Sequence, residues 1–292
     1  MRHRETPILL FLWMAGLISI AVSFAIIWIL ISQSIPFFDK VSIREFLTGT
    51  QWTPLFSSKS FGVLPLLVGT MLTTIVALAV AVPIGVSTAI YLSEFASPGL
   101  REVIKPMLEI LASIPTVVYG YFALVVVTPF LQKLLPDLST FNALSAGLVM
   151  GLMIMPMVSS LSEDALYAVP YSLREASYGL GANRLQTVFR VLLPTAMPGI
   201  LVAVILAMSR AIGETMIVTI AAGMRPILTF DIREPIQTIT AYVVQVSMGD
   251  VPHDSLEHRT IYAVALLLFV VAFVLNLISY QIRRYYVRRF SI

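Results

Sequence analysis

Six stretches of this chain are apolar over about the length a helix needs to cross a bilayer, some 20 residues for a hydrocarbon core about 30 Å thick. They are 8–31, 66–92, 107–130, 143–161, 195–221 and 259–281. In hydrocarbon each backbone N–H and C=O must find its partner within the protein, so isolated spans of this kind have to be helices. The sequence therefore reads as an all-α integral membrane protein with six transmembrane helices. The charge content agrees, at 12% of 292 residues, where soluble domains average about 25%. The first stretch follows Arg2 and Arg4, but its run from Ile8 to Ile31 is 24 residues, longer than the ~7–15 of a signal-peptide core. It is read as a retained anchor helix.

Orientation follows from the basic residues of the loops. Eleven Lys and Arg fall on the side that holds both termini and seven on the other, with Arg210 inside a span making up the nineteen. Basic residues accumulate in cytoplasmic loops, so both termini are expected in the cytoplasm. The C-terminal RRYYVRR, 283–289, carries most of this bias, and its tyrosines suit the membrane interface. The outside loops 32–65 and 222–258 are long, with proline and mixed charge. Within the second, IREPIQTITAYVVQVSMGD has apolar residues at near-helical spacing, which predicts a short amphipathic or re-entrant helix. No linker or internal repeat divides the chain. It is read as one transmembrane domain, 1–292, with the anchor helix at 8–31, core helices over about 66–281 and an inside loop at 162–194.

Several classes of chemistry drop out. With no cysteine there is no disulfide and no thiol nucleophile. His3, His253 and His258 all lie outside the apolar stretches, and no H-E-x-x-H, Walker A or dinucleotide-binding glycine motif occurs. Neither a metal site nor a cofactor is expected in this chain. The net charge of +3 comes without a basic tract, so nucleic acid is not an expected partner, whereas membrane lipid is. An intramembrane protease would need a nucleophile–base pair or metal ligands within the bilayer. A stand-alone secondary transporter would need coupling-ion sites and usually repeat symmetry.

The fifth stretch contains an anomaly, SRAIGETM at 209–216. At 1.5 Å per residue, Arg210 lies about 18 Å along from Pro198, near mid-membrane, where a charge costs about 2.5–3.5 kcal/mol. Four-residue spacing puts Arg210 and Glu214 on one helical face, so an ion pair is expected. The small-residue stripe Ala203, Ala207 and Ala211 adjoins that face and predicts that it turns into the bundle. Simple neutralisation would account for the pair. A guanidinium, however, carries five N–H donors and one carboxylate occupies about two, so the remainder can serve a passing anion. Thr215 adds a hydroxyl, although threonine in a membrane helix usually bonds its own backbone. Lys105 and Glu109, also four apart, are read as snorkelling interface anchors. Pro115, Gly120, Gly147 and Pro156 mark kinks or close helix contacts.

The inside loop reads SEDALYAVPYSLREASYGLGANRLQTVFRVLLPTAMPG. Pro170 offers a helix start with Ser172 as cap, Gly179 and Gly181 permit a sharp turn, and a second helix is expected from Asn183 to Leu192, before Pro194. Glu175, Ala176, Gly181, Leu193 and Pro194 stand at the spacing of the EAA loop of ATP-binding-cassette importer permeases. Ser177 replaces the second alanine of that pattern and Val191 its isoleucine. The strings FGVLPLLVGT, AVPIGVSTAIYLSEFASPGLR, KPMLEILASIPTVVYGYF and SRAIGETM resemble the phosphate-type members of that family, on the PstC-like side of the permease pair. The resemblance implies a type I importer permease architecture, with Glu175, Ala176, Gly181, Leu193 and Pro194 docking an ATPase, so that ATP is bound and hydrolysed by a partner and not by this non-catalytic chain. The implied partners are a PstA-like second permease, two copies of a PstB-like ATP-binding subunit and a PstS-like phosphate-binding protein that touches the outside loops. Phosphate is the implied substrate, with molybdate or sulfate as the alternative. Arg210, Glu214 and Thr215 then become the expected substrate pathway, with Arg210 a low-affinity stepping point and Glu214 tempering its charge and accepting a hydrogen bond from a protonated phosphate oxygen.

Overall fold

The computed structural model describes residues 2–252 and 255–290, with side chains for 9–252, 255–282 and Arg284. The side chains of Arg2, His3, Arg4, His253, Arg283, Tyr285, Tyr286, Arg288 and Arg289 invoked above therefore lie outside the described residues. Among those described, the only pairing of strand type is an isolated bridge between Trp52 and Phe61; the rest of the regular structure is helix. Among the described residues six helices are long and apolar enough to cross a membrane: Leu9–Phe38, Leu64–Phe95, Thr116–Leu134, Ala143–Tyr167, Arg184–Ile212 and Leu256–Ile282.

The centre is a tight parallel pair, α3 (Leu64–Ile90) against α7 (Ala143–Tyr167), with Gly147 beside Val76 and Val158 beside Gly85. Lipid tails are as apolar as leucine side chains, so helices associate in a membrane by close packing rather than by escaping water. Glycines on α7 provide that closeness: a Cβ built on Gly147 would stand 2.6 Å from Val76 Cβ, and one on Gly151 2.7 Å from the Ala77 carbonyl oxygen. In its most apolar window α7 is 67% buried, while α1 (Arg2–Phe38) is 0% buried. The anchor helix is accordingly peripheral, packing on α13 (Leu256–Phe290), which in turn meets α10 (Leu193–Ile212).

Two of the expected spans are interrupted. The stretch 107–130 divides at Ile114, whose ψ of 129° is extended, because the ring of Pro115 disfavours the α conformation in the residue before it. A separate helix, α4 (Pro98–Ser113), with no buried residue, precedes the break. The membrane segment proper is α5 (Thr116–Phe122), a π-helical turn over Ala123–Val127, and α6 (Thr128–Leu134). The stretch 195–221 divides at Gly213 into α10 and α11 (Met216–Ala221). Two π-helical turns, Ala123–Val127 and Val188–Leu192, end one residue before Thr128-Pro129 and Leu193-Pro194. The i→i−5 bonds there, Thr128 N–H to Ala123 O and Leu193 N–H to Val188 O, widen the helix where proline supplies no donor.

An outer layer closes over the end of the bundle that holds the α7 N-terminus. α2 (Ile43–Thr48) and α12 (Ile239–Ser247) bring Phe37, Phe46, Trp52, Phe61 and Tyr242 into one aromatic cluster, with Trp52 edge-on to Tyr242 at 5.0 Å. α12 is the short helix expected within the second outside loop, and it is packed in, with Ile239, Tyr242 and Val246 buried. The extended segment before it satisfies orphan donors at the start of α7: Ala143 N–H donates to Glu234 O and Leu144 N–H to Ile232 O.

Candidate functional site

Gly213 decides the site. α10 ends at Ile212, and Glu214 lies in the break before α11. Its Oε1 accepts from the backbone N–H of Met216 at 3.1 Å and of Ile217 at 3.3 Å, while its carbonyl accepts from Thr240 Oγ1 at 2.6 Å. The carboxylate therefore caps the short helix that follows, which supplies the hydrogen bonds that a 7% exposed group needs. This corrects the expected Arg210–Glu214 pair. The i,i+4 argument requires a continuous helix, and the backbone turns away one residue before Glu214. Among the described residues Arg210 forms no ion pair; its Nη2 lies 3.8 Å from Met153 Sδ. Thr215 Oγ1 donates to the Gly213 carbonyl at 3.3 Å, a local bond of the expected kind. Ala203, Ala207 and Ala211 are buried, so the small-residue stripe does face the bundle.

Arg210 is exposed, and what it faces is a cavity of about 280 Å³ between α4, α7 and α10. Arg210 and Met153 line one part of it and Lys105, Glu109 and Glu163 another, with Pro156, Ser159 and Ser160 between. From Met153 to Glu163 is ten residues of α7, about 15 Å at 1.5 Å per residue. The cavity thus follows the half of α7 that leads to the 162–194 loop. Ser159 is fully buried, and its hydroxyl has no hydrogen-bond partner.

Glu163 holds two cations, Arg101 Nη2 at 2.7 Å and Lys105 Nζ at 3.1 Å. Arg101 also lies over the Tyr167 ring, 4.6 Å from its centroid. Lys105 is therefore a partner of Glu163 and not a free snorkelling anchor. Glu163 went unremarked in the sequence because it falls just beyond the apolar run 143–161; its one legible signal was a carboxylate within a helical turn of a span's end.

The 162–194 loop forms α8 (Tyr171–Gly179), a turn, and α9 (Arg184–Thr187) running through the π turn into α10. Pro170 takes the cap position without a side-chain bond, so Ser172 is not the cap; Asn183 caps α9 in a reciprocal box with Gln186. The expected stop before Pro194 does not occur, since the π turn absorbs the proline. Glu175 lies in the second turn of α8, away from the N-terminal end of the dipole. Gly181 has φ +81° and open space around a built Cβ. Ser177 Oγ and Thr187 Oγ1, 2.8 Å apart, latch the two short helices together. Glu175, Ala176, Gly181 and Pro194 are exposed, Leu193 is half-buried, and Leu180 at the tip is 90% exposed. Behind this face Arg174 is buried, pairing with Glu94 at 3.0 Å and donating to the carbonyls of Val169 and Leu166.

The family described as binding-protein-dependent transport system inner membrane component matches residues 81–292. Over 265 residues the chain is 36% identical to a probable ABC transporter permease protein of Bacillus subtilis, YqgH, covering 90% of this chain and 85% of that one. It is 34% identical over 263 residues to the phosphate transport system permease protein PstC of Mesorhizobium japonicum, covering 82% and 78%. Among solved structures, a bacterial ABC transporter involved in import of the acidic polysaccharide alginate aligns with a TM-score of 0.58 at 17% identity, covering 92% of this chain and 98% of that one. A chain of the MetNI methionine ABC transporter aligns with a TM-score of 0.57 at 20% identity, covering 77% and 94%. The fold is thus that of type I ABC importer permeases.

Proposed function

Because the chain belongs to the family of inner-membrane components of binding-protein-dependent transport systems, we propose that it is the PstC-type permease of an ATP-driven phosphate importer. As a multi-pass membrane subunit of an ABC importer it works with an ATPase and a binding protein. The specific reading is a heterodimer with a PstA-like permease, two PstB-like ATPase copies, a PstS-like phosphate donor and both termini in the cytoplasm. Similarity to PstC proteins over four fifths of the chain supports phosphate as substrate.

The observation that carries the site is Arg210, a mid-membrane guanidinium that faces the cavity and, among the described residues, has no carboxylate partner of its own. An unpaired cation there has donors free for an oxyanion, and contact with a flexible thioether keeps the site from becoming a trap, as transport requires. Glu214 and Thr215 belong to the pathway by shaping the break that aims Arg210. The exposed face with Glu175, Ala176, Gly181, Leu193 and Pro194 docks the ATPase, and ATP is hydrolysed there and not in this chain. ATP-dependent uptake by the reconstituted complex, with phosphate, sulfate and molybdate compared, tests the substrate. Arg210→Gln is expected to lose at least about tenfold in phosphate uptake, since a charge-assisted hydrogen bond is worth ~1.5–3 kcal/mol. Normal uptake by inserted Arg210→Gln protein would remove Arg210 from the pathway.

A further inference from the structure

The cavity holds a second cation that neither the family pattern nor the Arg210 argument uses. Glu163 is only 2% exposed and is over-neutralised, with Arg101 and Lys105 both in contact. A buried carboxylate stripped of its only cation would be strongly destabilised. With two, it can release one and stay paired. The two are not equivalent. Arg101 makes the shorter contact and is held again by the Tyr167 ring. Lys105 makes the longer one and is the more exposed, 41% against 34%. Its ammonium sits on a flexible four-carbon stem at the wall of the cavity. Between the Arg210 and Lys105 parts stands the Ser159 hydroxyl, a buried group of the cavity wall with no hydrogen-bond partner among the described residues.

From this geometry we propose that Lys105 is a second, inner station for the tetrahedral oxyanion, held by Glu163 between passages and released to the anion as it leaves Arg210. Ser159 donates to the anion between the two cations, and Arg101 keeps Glu163 neutral while Lys105 is away. Two weak sites in series, each part-occupied by the protein's own groups, let an anion bind and leave without a deep well. The proposal rests on the phosphate-import reading, and it makes Lys105 a substrate-contacting residue.

The chain has no cysteine, so Ser160→Cys, exposed on the cavity wall, gives this subunit a single thiol. In the complete reconstituted complex the alkylation rate of that thiol is measured with and without inorganic phosphate. Phosphate is expected to slow it about tenfold; Lys105→Gln should reduce that protection to less than about twofold and Lys105→Arg should retain it, the loss being that of one charge-assisted contact. Glu163→Gln, which frees the ammonium, should strengthen protection. Undiminished protection in Lys105→Gln overturns the proposal, as does weakened protection in Glu163→Gln protein that is correctly assembled. An absence of protection in a complex that imports phosphate overturns the station and leaves the transport reading intact. An absence of phosphate uptake by the unsubstituted complex overturns the transport reading, and the station falls with it.

Discussion

The guanidinium of Arg174 lies 3.0 Å from the carboxylate of Glu94, eighty positions earlier, and both groups are buried. The pair ties α8, the exposed knob of the 162–194 loop, to the π-helical turn Tyr91–Phe95 that ends the α3 span, so the knob and a membrane-length helix are joined directly. Arg184 over the Phe95 ring, at 5.1 Å, adds a second tie. Removing one partner of a buried pair leaves an uncompensated charge and costs about 3–5 kcal/mol. Glu94→Gln is therefore expected to loosen the loop and speed tryptic cleavage at the exposed Arg184 and Arg190 in inside-out vesicles, with Glu94→Gln/Arg174→Gln closer to the parent. Equal cleavage rates in parent and Glu94→Gln would show that the pair does not hold the knob.

Gly181 adopts φ +81° with nothing near a built Cβ, so within this chain its requirement is conformational. A left-handed residue costs about 1–2 kcal/mol for most side chains and less for asparagine. Uptake is expected to fall in the order Gly181→Asn, Gly181→Ala, Gly181→Val, with the membrane level of the protein unchanged. Equal loss in all three would place the constraint in a partner packed against the bare glycine.

The spans were readable because length and apolarity alone set them. Their interruptions were less so. At Ile114-Pro115 apolarity runs straight through the break, and only the proline rule marks it. At Gly213 the four-residue spacing of Arg210 and Glu214 looked like helical pairing, since nothing in the residues themselves says that the helix has ended. The ion pairs Glu94–Arg174 and Glu163–Arg101 join positions 80 and 62 apart, and no local period connects such residues. The loop was legible from its punctuation: Pro170, Gly181 and Asn183 each sit at a boundary or turn that the structure has.

At Gly147 a side chain has no room, because its Cβ would meet Val76 Cβ at 2.6 Å, whereas at Gly99 in α4 a built Cβ meets nothing within 4 Å. Overpacking a filled interface costs about 1–3 kcal/mol, while replacing an unconstrained helical glycine by alanine gains about 0.5–1 kcal/mol. Gly147→Ala is expected to lower the thermal midpoint of the detergent-purified protein and Gly99→Ala to leave or raise it. A neutral Gly147→Ala would mean that α3 and α7 slide apart easily, contrary to the close central packing.

In the 222–258 loop the Arg233 side chain, hydrogen-bonded to Asp231, holds its carboxyl at about 2, from an ordinary 3.8. A depressed pKa contributes fully above the ordinary value and is lost only as pH falls through the depressed one. The clamp therefore does not titrate between pH 7.5 and 5.5. In the detergent-purified protein the Asp231 carboxyl is expected to stay ionised down to about pH 3; a carboxyl that protonates around its ordinary 3.8 would mean that Asp231 is not clamped.

Glu214 separates the two accounts of the mid-membrane charge most sharply. As a cap, its Oε1 satisfies the N–H groups of Met216 and Ile217, which have no acceptor inside the six-residue α11. An amide oxygen can do the same, so Glu214→Gln preserves the break, while Glu214→Ala strands both donors and costs about 0.5–2 kcal/mol. As a counter-ion to Arg210, only the negative charge would count, and glutamine would fail as badly as alanine. The geometry predicts that Glu214→Gln keeps more than about half of parental phosphate uptake and Glu214→Ala loses most of it, with protein levels matched in proteoliposomes. Equal loss in the two variants would return Glu214 to Arg210 as its charge partner in some step of transport, and the cap would then be only its resting position.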